Sequence, residues 1–128
     1  MRTIRVIIAG SRDFNDYEVL RGEVDMFVEQ LRDRKDILDD DSVIVVSGGA
    51  RGADKLGERY AKERGYHCEI YVPNWSVGKQ AGILRNIDMA KVSQACIVFN
   101  VNNSKGSRHM VDHARKQGLI TKEVKCYA

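Results

Sequence analysis

The sequence holds one proline, one tryptophan and no long apolar run, and each scarcity excludes something. With a single proline there is no Pro-rich linker, and no internal repeat or low-complexity segment is visible. The apolar stretch Ile4–Ala9 is far too short for a membrane span, or for the core of a secretory signal with its cleavage site. Neither membrane association nor export is therefore expected. Cysteine is also scarce. Cys68, Cys96 and Cys126 are odd in number, widely spaced and set in apolar stretches, so they read as buried reduced thiols. Such thiols suit a reducing cytoplasm better than a disulfide scaffold would. A net charge of +3 is too mild to argue for nucleic acid by itself.

What is present is an ordinary globular composition, with 43% hydrophobic and 30% charged residues in a 128-residue chain. That length fits one domain, 1–128, with a core of useful size. Five β-branched or apolar runs punctuate it: Ile4–Ala9, Ser42–Ser47, Cys68–Val72, Ala95–Val101 and Thr121–Tyr127. Near-continuous runs of this kind are expected of parallel strands buried on both faces.

Helical patterns lie between the runs. Asn15 and Glu18 have capping-box spacing and predict a first helix from Asn15, with Leu20, Val24, Phe27, Val28 and Leu31 inward. A second helix packs Leu56, Tyr60 and Ala61 and stops at Gly65. A third spans about 80–92, with Ile83, Leu84, Ile87 and Ala90 inward, and a fourth spans about 107–117 on Met110, Val111 and Ala114. Strict β-α alternation predicts an α/β fold, a doubly wound parallel sheet of five strands and about four helices, in strand order 3-2-1-4-5. Ligands of such sheets sit beyond the carboxyl ends of the strands.

The four loops at that edge share a composition. They are Gly10-Ser11-Arg12-Asp13-Phe14, then Ser47-Gly48-Gly49-Ala50-Arg51-Gly52-Ala53-Asp54, then Pro73 to Lys79 leading into Arg85-Asn86, then Asn102 to Arg108 with Gly106-Ser107. Glycine lets a backbone approach a ligand closely, helix N-termini favour anions, and arginine matches phosphate or carboxylate with a planar fork. An acidic cluster, Asp36, Asp39, Asp40 and Asp41, falls at the opposite edge, so the charges would steer anions toward the loops. The second loop is neither a Walker A loop nor G-x-G-x-x-G. Asp54 could cap its helix or accept hydrogen bonds from ribose hydroxyls. Trp75 could cover the core or stack on a base. His109 and His113 have the i, i+4 spacing of a zinc pair, but no third ligand of clear spacing accompanies them, so no metal is expected.

Four motifs carry a resemblance: Gly10-Ser11-Arg12-Asp13-Phe14; Ser47 to Asp54; Trp75 with Gly78-Lys79-x-Ala81-Gly82-x-x-Arg85-Asn86; and Gly106-Ser107-x-x-Met110. Together, and in this order over nearly the whole chain, they resemble the YspA-like (YpsA-related) branch of the SLOG superfamily. The resemblance implies a Rossmann-like fold that binds nucleotides or nucleotide-derived small molecules. Relatives include the LOG phosphoribohydrolases, the single-stranded-DNA binder DprA, and sensor domains of conflict systems, among them phage defence. It implies ligand contacts at Gly10, Ser11, Arg12, Gly48, Gly49, Gly52, Asp54, Arg85, Asn86, Gly106 and Ser107. The loop chemistry adds Ser47, Arg51, Trp75 and Lys79.

The hydrolases use an arginine on the third helix, which Arg85 matches. They also use a glutamate just after the last loop, near where His109 stands here. That departure favours a binding module or sensor over N-glycosidic hydrolysis. If hydrolysis occurs, Arg85 and Asp54 are the catalytic candidates, with Asp13 in reserve for the acid role. Arginine stays protonated and cannot be the base. Interleaved helix charges argue against nucleic acid as a partner, no cofactor is implied, and the resemblance allows a homodimer through exposed helix faces.

Overall fold

The structure, a computed structural model, describes residues 2–127. Ten elements alternate along the chain. They are β1 (Thr3–Gly10), α1 (Tyr17–Asp33), β2 (Ser42–Ser47), α2 (Ala53–Arg64), β3 (His67–Ile70), a 3-10 turn (Trp75–Val77), α3 (Ala81–Val92), β4 (Ala95–Val101), α4 (Lys105–Lys116) and β5 (Ile120–Cys126). The strands form one sheet in the order β3-β2-β1-β4-β5. Every neighbouring pair is parallel. This is the doubly wound, Rossmann-like arrangement that the alternation predicts.

Side-chain alternation in the central strands divides the core into two layers. Ile4, Val6 and Ile8 of β1 and Ile97 and Phe99 of β4 join the stripe Leu20, Val24, Phe27 and Leu31 of α1 and Tyr60 of α2. Ile7 and Ala9 of β1 and Cys96 and Val98 of β4 face the other way, onto Met89 of α3 and Met110, Val111 and Ala114 of α4. Double-sided burial explains the unbroken apolar runs, since a strand covered by helices on both faces has no polar side. β4 is buried along its whole length.

Several boundaries and faces differ from expectation, β5 among them, which runs Ile120–Cys126 and stops short of Tyr127. Asp16, not Asn15, caps α1, its carboxylate accepting the Val19 N–H at 3.2 Å. Glu18 is turned outward onto Arg21 and takes no part in a capping box. β3 ends at Ile70 rather than Val72. α3 buries Ala81, Asn86, Met89 and Ala90, while Ile83 and Leu84 stay 45% and 46% exposed. The buried stripe is shifted because a polar residue, Asn86, occupies an inner position, where it bonds Arg85 and His109. α4 begins two residues early, at Lys105. All three cysteines are free, but only Cys96 is buried, and Cys68 and Cys126 are half-buried. Among the described residues, no helix is long and apolar enough to cross a membrane.

Candidate functional site

Each of the four loops follows a strand or leads into a helix at the carboxyl end of the sheet, and three of the helices begin there without a side-chain cap. α2 starts at Gly52, α3 at Gln80 and α4 at Ser104, none of them with a capping side-chain bond. α1, by contrast, is capped by Asp16. Between these loops lies a cavity of about 550 Å³, a size ordinary for a small-molecule site.

Its wall holds five cationic side chains, Arg12, Arg51, Lys79, Arg85 and Lys105, against the carboxylates of Asp13 and Asp54. Its apolar part comes from Ala9, Ile83, Met89 and Met110. Gly10, Ser11, Asn86, Gly106 and Ser107 also line it, as does Trp75, which is 57% exposed and so does not cover the core. A Cβ at Gly106 or Gly82 would meet nothing within 4 Å. These two glycines keep the cavity open rather than making room for packing.

Four expected residues are placed elsewhere. Ser47 is fully buried beneath its loop, where its hydroxyl donates to Glu58 at 2.7 Å and accepts the Gly49 N–H at 3.1 Å. Gly49 turns toward Ile70 at the end of β3. Gly52, at φ 81°, lies against the backbone of the first loop, where a Cβ would come 2.4 Å from the Ser11 carbonyl oxygen. Gly48 is buried below the cavity, in the space between Arg85 and Asp54, whose nearest atoms would lie 2.4 Å and 2.8 Å from an added Cβ. The glycines of the second loop therefore build the site without lining it.

Ser11 has a similar double part. Its hydroxyl is hydrogen-bonded to those of Ser104, at 2.8 Å, and Ser107, at 3.0 Å, and accepts the Val101 N–H at 2.8 Å. Ser104 and Ser107 are themselves 2.8 Å apart, so three hydroxyls form a closed cluster joining the first loop to the start of α4. Asn100 extends it, its Oδ1 accepting the Ser104 N–H at 3.0 Å.

Arg85 enters the wall from α3. Nη1 donates to the Gly48 carbonyl and Nε donates to Asn86 Oδ1 at 3.1 Å. Among the described residues no carboxylate comes within ion-pair distance of it. Burial pulls its pKa down, the charge of Asp54 opposes that, and Arg12 adds to the lowering. Asn86 is the buried polar residue of α3, and its Nδ2 reaches His109 Nδ1 at 3.2 Å. The His109 ring stacks on His113 with centroids 5.6 Å apart. Among the described residues no group of three His, Cys, Asp or Glu side chains is arranged to hold a metal.

Asp54 is 4% exposed, and its Oδ2 accepts the Ala50 N–H at 3.1 Å. Burial pushes its carboxyl up from the ordinary 3.8 to about 6, against the pull of that N–H and of Arg85. The folded state thus holds the Asp54 proton more tightly than the unfolded chain does. Ionising the group costs stability above pH 6, and that cost is relieved as the pH falls toward 4. A gap of about two pH units corresponds to about 3 kcal/mol. Asp54→Asn should therefore flatten the stability profile measured by urea titration. Wild type should lose about 3 kcal/mol relative to the variant between pH 4 and pH 8. Parallel profiles would mean that the carboxyl is not desolvated.

Sequence reasoning missed Lys105 and His109 as wall residues. Their signal was available: they stand one turn apart on the first two turns of the helix that follows the last glycine loop.

Residues 4–78 match the family described as the YspA, cpYpsA-related SLOG family. The Gene 61 protein of Mycobacterium phage D29 is 34% identical over 122 residues, covering 90% of this chain and 91% of that protein. No solved structure matches the chain at a significant level.

Proposed function

Because the chain belongs to the YspA, cpYpsA-related SLOG family, we propose that it binds a nucleotide or nucleotide-derived small molecule in the cavity at the carboxyl edge of the sheet. On this reading it acts as a binding module or sensor. The observation that carries it is Arg85: a half-buried guanidinium in the cavity wall, fixed by Gly48 and Asn86, with no carboxylate in ion-pair contact. A half-buried cation with no carboxylate in ion-pair contact is poorly compensated by the protein alone and is satisfied by an anionic ligand. Arg12, Lys79 and Lys105 add charge of the same sign, and the uncapped first turn of α4 offers backbone N–H groups. Trp75 at the rim and the apolar wall from Ile83, Met89 and Met110 suit the uncharged end of such a ligand.

A second reading is hydrolysis of a nucleoside monophosphate at its N-glycosidic bond, with water giving the free base and the sugar phosphate. Asp54 favours it, since a carboxyl raised to about 6 at a cavity is the kind of group that acts as acid or base near neutral pH. Against it, Asp54 lies low in the wall with Oδ2 already bound to the Ala50 N–H.

Thermal melts with the four ribonucleoside 5′-monophosphates and their di- and triphosphates test the first reading. At about a hundredfold over Kd the expected stabilisation is about 2.7 kcal/mol. Unphosphorylated nucleosides should give far less. Chromatography of the same mixtures decides between the readings: a released base supports hydrolysis, and stabilisation without product supports the sensor. A melting temperature unmoved by every nucleotide would put the ligand outside this class.

A further inference from the structure

Arg85, Asn86 and His109 form a chain of hydrogen bonds whose direction follows from the groups themselves. A guanidinium can only donate. The 3.1 Å contact from Arg85 Nε therefore makes the facing atom of Asn86 its carbonyl oxygen, and the amide cannot be turned round without losing that bond. The NH₂ end of Asn86 is then the one 3.2 Å from His109 Nδ1. An amide NH₂ also can only donate, so Nδ1 must be the bare, accepting nitrogen of a neutral ring. The ring proton is left on Nε2, which has no partner among the described residues. His109 lines the cavity, one helical turn after Lys105 and beside the N-terminal turn of α4.

We infer that His109 is a ligand-binding residue, its neutral ring held by Asn86 so that Nε2–H donates to an oxygen of the ligand's anionic group. Asn86 is the positioning residue. The surroundings agree with a neutral ring. Burial and the stacked His113 lower the His109 pKa, and Asp112, on the same helix, is the opposing charge. Protonating His109 would place an Nδ1–H against the Asn86 NH₂, so a charged ring would have to break the chain or reverse the amide. The arrangement therefore selects a directional donor over a second full charge beside Arg85.

This inference rests on the cavity being an anion site, as proposed above. Two measurements keep the ideas apart. In long-range ¹H–¹⁵N NMR spectra of the free protein, His109 should show the Nε2–H tautomer near pH 7.5. Asn86→Asp, whose carboxylate accepts and cannot donate, should move the proton to Nδ1 or charge the ring. Calorimetry then uses inorganic phosphate and whichever ribonucleoside 5′-monophosphate stabilises wild type most. His109→Phe should weaken binding about 10-fold, while His109→Gln, which carries an N–H donor at the place of Nε2, should stay within about 3-fold.

An Nδ1–H tautomer in wild type would overturn the inference. So would unchanged affinity in His109→Phe while wild type binds. Failure of wild type to bind phosphate or any monophosphate would instead remove the reading of the cavity, and the donor role with it. The tautomer would still stand as measured.

Discussion

Replacing Gly10 with alanine should cost about 4 kcal/mol or more and leave little folded protein at 37 °C. An added Cβ would lie 2.3 Å from the Phe99 carbonyl oxygen and 2.8 Å from Ala53 Cβ, at a φ of 154°. Neither obstacle can swing aside. Phe99 is backbone of β4, in register with Gly10, and its carbonyl accepts the Ser11 N–H at 2.9 Å. Ala53 is fully buried at the start of α2. Relief requires parting the two central strands. A thermal melt should fall by roughly 10 °C or more. Gly22→Ala is the control: it lies within α1 with nothing within 4 Å of an added Cβ. It should stabilise by roughly 0.5–1 kcal/mol. Melting of Gly10→Ala within a few degrees of wild type would show that the close approach is not a constraint.

On the proposed reading of the cavity, Arg85→Ala should weaken nucleotide binding about 100-fold or more, while the protein remains folded. The guanidinium holds three things in place at once: the second loop through the Gly48 carbonyl, the orientation of Asn86, and the positive potential beside Asp54. Lysine should not restore the affinity, since one ammonium on a flexible stem cannot donate from two fixed directions as the fork does. Removing the charge also acts on Asp54. Arg85 is one of the groups pulling that carboxyl down, so its loss should raise the Asp54 pKa further above 6. Following the Asp54 carboxyl by ¹³C NMR checks this without any ligand. Gly48→Ala acts on the same group, since its Cβ would crowd the side chains of Arg85 and Asp54 rather than backbone. It should reduce affinity with a smaller loss of stability than Gly10→Ala. Nucleotide affinity unchanged in both Arg85→Ala and Gly48→Ala would locate the ligand elsewhere.

The parallel, doubly wound sheet was legible because strict β-α alternation and burial on two faces leave a plain pattern: apolar runs such as Val43–Val46 do not suit a surface. Helix faces were less legible where a site intrudes. On α3 the inner position of Asn86 serves the cavity, and counting apolar residues instead favoured Ile83 and Leu84, which are exposed. At the start of α1, Asn15 and Asp16 are adjacent and both able to cap, and the capping-box spacing to Glu18 pointed to Asn15 although Asp16 is the cap. Loop composition pointed to the carboxyl edge of the sheet, where a cavity lies, but composition says nothing about which way a residue points. Ser47 and Gly48 are neighbours in the motif, yet one bonds Glu58 under the loop and the other lies beneath Arg85. His109 was noticed for its spacing from His113 and as a departure from hydrolase relatives. Its bond to Asn86 joins residues from two helices and has no trace in local sequence.

During synthesis β1, β2 and β3 leave the ribosome first and can pair with one another, while one edge of β1 waits for β4. That edge, from Val6 to Gly10, finds its partners only at residues 95–99. The wait is long on the scale of strand pairing, and it leaves an apolar edge open to the wrong neighbour. The cavity straddles the same seam. Arg12, Arg51 and Asp54 arrive with the early strands; Arg85, Lys105 and His109 arrive with the late half. No truncated product ending before α4 can assemble the whole wall. Whatever binds there holds shut the seam between the early and the late half of the chain.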